Sequence, residues 1–103
     1  MKPPQFVVLH TPGPAWKPGV AAFDQDGLGL HVAHYRTLLA ADKLVIGGPF
    51  LDERSGGFMI AAPGVGEEEL RAFAADDPAV RSGLLEFELR PWLAGMQRSA
   101  EEA

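Results

Sequence analysis

Residues 28–46, LGLHVAHYRTLLAADKLVI, change period part-way along, and that change sets the fold. From Leu28 to Asp42 the apolar residues recur at helical spacing. At 100° per residue, Leu28, Val32, Tyr35 and Leu39 fall within about 60° of one another. The spacing predicts an amphipathic helix with those four as its apolar stripe, His31 and Leu38 at one margin, and His34 further towards solvent. Lys43 closes the helix, and Leu44-Val45-Ile46 reads as a buried strand. It runs into Gly47-Gly48-Pro49-Phe50-Leu51, where the chain is expected to bend or to be approached closely.

Working outwards, Gln5-Phe6-Val7-Val8-Leu9-His10 is a β-branched run ended by the breaker Thr11-Pro12-Gly13-Pro14. Residues 11–27 read as a long loop, with Val20-Ala21-Ala22-Phe23 suited to one helical turn; loops of this length are usually functional or mobile. On the other side, Asp52-Glu53-Arg54-Ser55-Gly56-Gly57 is a hairpin loop and residues 58–62 its return strand. Glu67, Glu68 and Glu69 suit the positive end of a second helix. Leu70, Phe73 and Ala74 are its apolar stripe, and Pro78 stops it. Leu85, Phe87 and Leu89 alternate with Glu86, Glu88 and Arg90 as a last strand, ended by Pro91-Trp92. The order β-α-β-β-α-β predicts an α+β, ferredoxin-like fold with two helices on one face of a four-stranded antiparallel sheet. Strands one and three carry apolar residues on both faces, so the face without helices is expected to pack on a second copy. The expected domain spans residues 1–93, followed by a solvated tail over 94–103.

The chain has 103 residues, 47% of them hydrophobic and 22% charged, which suits one globular domain and not a disordered segment. No apolar run reaches the roughly 18–20 residues of a membrane span. No export signal is legible, so the expected location is cytoplasmic. A net charge of −5 with nine scattered basic residues argues against nucleic acid as a partner. The absence of cysteine excludes disulfides, thiolate nucleophiles and sulfur-ligated metals.

Few residues remain for chemistry. His31 and His34 are spaced i, i+3, but no Glu accompanies them in the helix, so two separately placed histidines is the simpler reading and no metal site is expected. His31 could act alone as a general acid or base, since imidazole titrates near neutrality. Such a ring needs a carboxylate to hold its tautomer, and Asp77 can supply one if the two helices lie side by side. On the residues alone, the simpler reading of Asp77 is the helix-terminating turn residue of Asp76-Asp77-Pro78. Gly47-Gly48-Pro49 lacks the Lys-Ser/Thr of a phosphate loop, and no cofactor motif is present.

The stretch His31 to Leu39, then Lys43-Leu44-Val45-Ile46-Gly47-Gly48-Pro49-Phe50, the Gly56-Gly57 hairpin, Asp76-Asp77-Pro78 and Leu89-Arg90-Pro91-Trp92 together resemble the YCII-related proteins. Their pattern is a helix of the form H-x-x-x-x-x-x-L followed by a G-K-L-x-x-x-G-P strand, and the resemblance covers residues 5–92. It implies a dimeric α+β barrel and a His31–Asp77 acid/base pair. The pocket is then expected to be walled by Tyr35, Gly48, Pro49, Phe50 and Trp92. It further implies a homodimeric, cofactor-free lyase or isomerase acting on a small molecule; the alternative is a non-catalytic small-ligand-binding or sensing homodimer. Two positions depart from the pattern. Leu28 stands where many relatives carry arginine, which moves any counter-charge for an anionic substrate to Arg36 or Lys17. Asp42 stands where glycine is usual.

Overall fold

The computed structural model describes residues 2–98. Strand β1 (Gln5–Pro12) lies inside a four-stranded antiparallel sheet of order β2-β3-β1-β4, with β2 at Leu44–Pro49, β3 at Gly57–Ala61 and β4 at Leu85–Trp92. Helix α1 (Leu28–Ala40) joins β1 to β2. Helices α2 (Glu67–Ala75) and α3 (Pro78–Arg81) join β3 to β4. This is the α+β ferredoxin-like arrangement.

Three strand assignments differ from the sequence reading, each for a local reason. β1 runs through Thr11 and Pro12, which pair with Glu86 and Leu85. The β3 ladder has already ended at His10 and Gly57, so no strand on that side lacks the amide that proline cannot offer. β2 is an edge strand, not a buried one: Val45 and Ile46 are 52% and 60% exposed. A register shift between Leu44 and Ile46 interrupts its ladder with β3, and Gly47-Gly48-Pro49 continue the strand instead of bending it. β4 likewise extends through Pro91 and Trp92, opposite Phe6 and Gln5.

The inner sheet face carries Val8, His10, Ala61 and Leu85, all buried, with Phe6, Met59, Phe87 and Leu89 packed beside them. Tyr35, Leu38, Leu70 and Ala74 from the helices close the core over this face. The buried residues of α1 are His31, Tyr35 and Leu38. The core face is therefore rotated by roughly 60° from the expected stripe. Val32 and Leu39, at the centre of that stripe, are 37% and 48% exposed. An apolar stripe marks a face withdrawn from water but does not say whether core or cleft withdraws it.

Pro78 ends α2 and also opens a new short helix. Asp76 is the C-terminal cap of α2, and Asp77 is the N-cap of α3, its side chain accepting from the Ala79 amide with Pro78 in the first turn. Beyond β4, Ala94 is buried, so packing extends past residue 93; Met96 is exposed, and residues 99–103 of the expected tail lie outside the described residues. No helix among the described residues is long and apolar enough to cross a membrane.

Asp42, between α1 and β2, has φ 61°, the left-handed conformation that favours glycine. Replacing it with Gly is expected to raise the unfolding free energy by about 0.5 kcal/mol, since the relief of Cβ strain exceeds the entropy cost of glycine. Asp42→Ala should lower stability by about 1 kcal/mol. Equilibrium urea unfolding of the three proteins checks the order.

Candidate functional site

Helix α1 does not lie flat on the sheet along its whole length. Between its Leu28–Leu39 face and the β1-β3-β2 surface is a cleft of about 350 Å³. The unexpectedly exposed stripe of α1 is one wall: Leu28, Val32, Tyr35, Arg36 and Leu39 all line it. Leu44, Gly47, Gly48, Pro49 and Met59 form the opposite wall, with the Met59 sulfur in the place that a Gly47 side chain would take. The loop after β1 supplies Trp16, Ala22 and Phe23. That loop is fixed by Gln25, a buried side chain that accepts from the Lys17 amide (3.0 Å) and donates to the Lys17 and Val20 carbonyls (2.8 and 3.0 Å). Gly56, at φ 79°, passes so close to β1 that an added Cβ would sit 2.2 Å from the His10 carbonyl oxygen, so only glycine lets the hairpin close at this depth.

The polar groups gather at one place in this apolar space. His31 Nδ1 lies 2.5 Å from Asp77 Oδ2, and Asp77 Oδ1 accepts from the Ala79 amide at 2.9 Å. Asp77 is fully buried, so its charge depends on these two hydrogen bonds and on the charges around it. Burial opposes its ionisation, but the hydrogen bonds from His31 and Ala79, with the fields of His31 and His10, outweigh that and hold the carboxyl below its usual range. With Nδ1 committed, His31 presents Nε2 for other work. His31 lines the cleft, and among the described residues no buried side-chain nitrogen or oxygen lacks a partner, so Nε2 is open to the cavity.

His10 was not singled out by the sequence reading as a site residue, yet it stands beside this pair. Its ring packs edge-on against His31 with centroids 4.9 Å apart; Nε2 is 2.8 Å from Tyr35 Oη and Nδ1 is 3.2 Å from the Glu86 carbonyl oxygen. Burial, with the nearby His31, lowers its pKa to about 4. Burial, then the Asp77 charge, raises that of Tyr35. The strand alternation held the signal: His10 shares a face with Phe6 and Val8, which the helices cover.

Other expected residues part company. Tyr35, Gly48 and Pro49 line the cleft, and Arg36 stands at it. Lys17 is not among the lining residues and pairs instead with Asp26 at 3.5 Å. Phe50 stacks on Phe58 (centroids 5.8 Å apart) outside the cleft. Trp92 alternates with Leu85, Phe87 and Leu89 onto the other sheet face, so it cannot wall the cleft of its own chain. His34 turns to α2, donating Nε2–H to the Phe73 carbonyl (2.7 Å) and stacking on the Phe73 ring. Far from being solvated, it anchors α1 to α2.

His10, His31 and Asp77 each bring a potential metal-ligand atom within 4.8 Å of the others. All three already hold hydrogen bonds, and an ion coordinated by both His31 and Asp77 would have to part a contact of 2.5 Å. The donor set is built for protons more than for a cation.

The chain shares the fold of a dehydrochlorinase. It superposes on 5-chloro-2-hydroxyhydroquinone dehydrochlorinase (TftG) from Burkholderia phenoliruptrix AC1100, determined in complex with 2,5-dihydroxybenzoquinone. The TM-score is 0.66 at 25% sequence identity, covering 88% of this chain and 95% of the other. No protein-family model matches the sequence, and neither does any curated protein.

The lowered pKa of His10 carries a stability consequence. Unfolded, the ring binds a proton near pH 6.5; folded, it does so only near pH 4. Between these values the unfolded chain holds more protons, so stability rises with pH across the window. Acidification from pH 6.5 to 4 should therefore remove about 3 kcal/mol. Urea midpoints measured across this range check the slope, which His10→Gln should flatten.

Proposed function

We propose that this protein is a cofactor-independent lyase acting on a small hydroxylated aromatic molecule, with His31 as acid and base and Asp77 as its positioning partner. One observation carries the reading: a histidine whose Nδ1 is held by a buried carboxylate points its other nitrogen into an apolar cleft. The dehydrochlorinase neighbour supports the substrate class. The cleft volume suits a substituted single ring.

Elimination of HCl from a chlorinated trihydroxybenzene needs only proton transfers. The base removes a hydroxyl proton, and a proton is returned to the chlorine-bearing carbon, giving a dienone with that carbon tetrahedral. Loss of a second hydroxyl proton then expels chloride and leaves a hydroxyquinone, so that one proton and one chloride depart in total. His31 can serve as base, acid and base again, because Asp77 stabilises the imidazolium formed in between. Arg36 at the cleft supplies a counter-charge for the phenolate. This assigns to Arg36 the charge that the expected arginine, replaced by Leu28, would have carried.

Incubated without oxygen with 5-chloro-2-hydroxyhydroquinone, the wild-type protein should release chloride above the buffer rate. His31→Gln should lower that rate by about 10²–10⁴-fold, and Asp77→Asn should lower it as well. A wild-type rate equal to buffer refutes the lyase reading; saturable binding of 2,5-dihydroxybenzoquinone without chloride release would favour the non-catalytic binding reading.

We further propose a cytoplasmic homodimer closed on the outer sheet face. Support comes from apolar side chains that alternation places there: Val7, Leu9, Ile60 and Phe58, the exposed Ile46 opposite Ile60, and Trp92. A patch of this kind on a small chain marks an interface. Sedimentation equilibrium at micromolar concentration should return twice the chain mass, and Ile46→Lys with Phe58→Lys should return it to one.

A further inference from the structure

The hydrogen bonds around Tyr35 have a direction. The Glu86 carbonyl can only accept, so His10 Nδ1, 3.2 Å away, carries the ring proton. A neutral imidazole with its proton on Nδ1 offers a lone pair at Nε2, and the atom 2.8 Å from it is Tyr35 Oη. The tyrosine hydroxyl therefore donates its one proton to His10. What remains on that oxygen are lone pairs, and Tyr35 and His10 both line the cleft.

We infer that His10 makes the Tyr35 hydroxyl an acceptor for whatever occupies the cleft, so that the site selects aromatic ligands bearing hydroxyl donors over those with only acceptors. The inference deepens the lyase reading and rests on its assignment of the cleft as the ligand site. In its neutral form His31, whose Nδ1–H goes to Asp77, also presents a lone pair at Nε2. Both fixed polar groups of the cleft are then acceptors, and Arg36 is the donor at its wall. A ligand placing carbonyl or halogen against them leaves lone pair facing lone pair, which a buried site penalises more than it rewards a matched bond. Tyr35 acts here as a specificity-determining residue and His10 as its positioning residue, since the neutral ring is what fixes the direction of the hydroxyl.

Two measurements test this. Long-range ¹⁵N–¹H NMR at pH 7 should find the His10 proton on Nδ1 with Nε2 unprotonated; a proton on Nε2 overturns the inference directly, with no activity needed. Hydroquinone and 1,4-difluorobenzene, close in shape but differing in donors, are then titrated into the wild type, Tyr35→Phe and His10→Leu. Hydroquinone should bind the wild type at least about tenfold more tightly, and either substitution should cut that preference several-fold. Equal binding of the two probes, no saturable hydroquinone binding, or an unchanged preference in Tyr35→Phe would each overturn it. Absence of chloride release together with a retained hydroquinone preference would refute the lyase reading and still support the acceptor role. Should His10→Leu fail to fold, the wild-type tautomer and the Tyr35→Phe comparison decide the matter.

Discussion

A single carboxylate, that of Asp77, holds three parts of the molecule in register. One oxygen caps the start of α3 through the Ala79 amide, and the other accepts from His31 on α1. The cap sets where α3 begins, and α3 carries Ala79 into the small cluster with Leu84 and Leu85 that starts β4. A buried charge without partners would be costly, so the two donors are a condition of the fold as much as of any chemistry. The hydrogen bond from His31 fixes the tautomer and aim of a ring that has only one other nitrogen to offer.

From that ring, packing and hydrogen bonds lead on to the sheet. His10 packs against His31, Tyr35 bonds His10, and His10 reaches the β4 carbonyl of Glu86. No buried side-chain nitrogen or oxygen among the described residues lacks a partner, which is what permits so many polar groups among apolar ones. The network also separates charge states: Asp77 is held ionised, while His10 is held neutral beside it. Burial keeps the His10 ring uncharged, and any positive charge on the neighbouring His31 acts in the same direction.

The cleft owes its existence to what is missing as well as to what is present. Gly47 leaves room on β2 for the Met59 side chain, which lines the wall facing α1, and Gln25 pins the loop that brings Trp16 and Phe23 to the cleft. An apolar space with its few polar groups collected at one end suits a flat ring, bound by its faces and sorted by its hydroxyls.

The sequence by itself determined the element order, because periods of 3.6 and 2 separate cleanly in Leu28–Asp42 and Leu85–Arg90, and glycine and proline punctuate them. It also pointed to His31, Asp77, Tyr35, Gly48 and Pro49, and the fold places them around or against one cavity. Only the tertiary structure decided which side of α1 meets the core. The Leu28–Val32–Leu39 stripe faces a cleft, whereas His31 and His34 turn inwards, because partners on α2 and α3, distant in sequence, satisfy their nitrogens. It likewise decided that His10 belongs with His31 and that Trp92 faces away. Alternation along a strand fixes which residues share a face, but only the packed helices decide which face is covered.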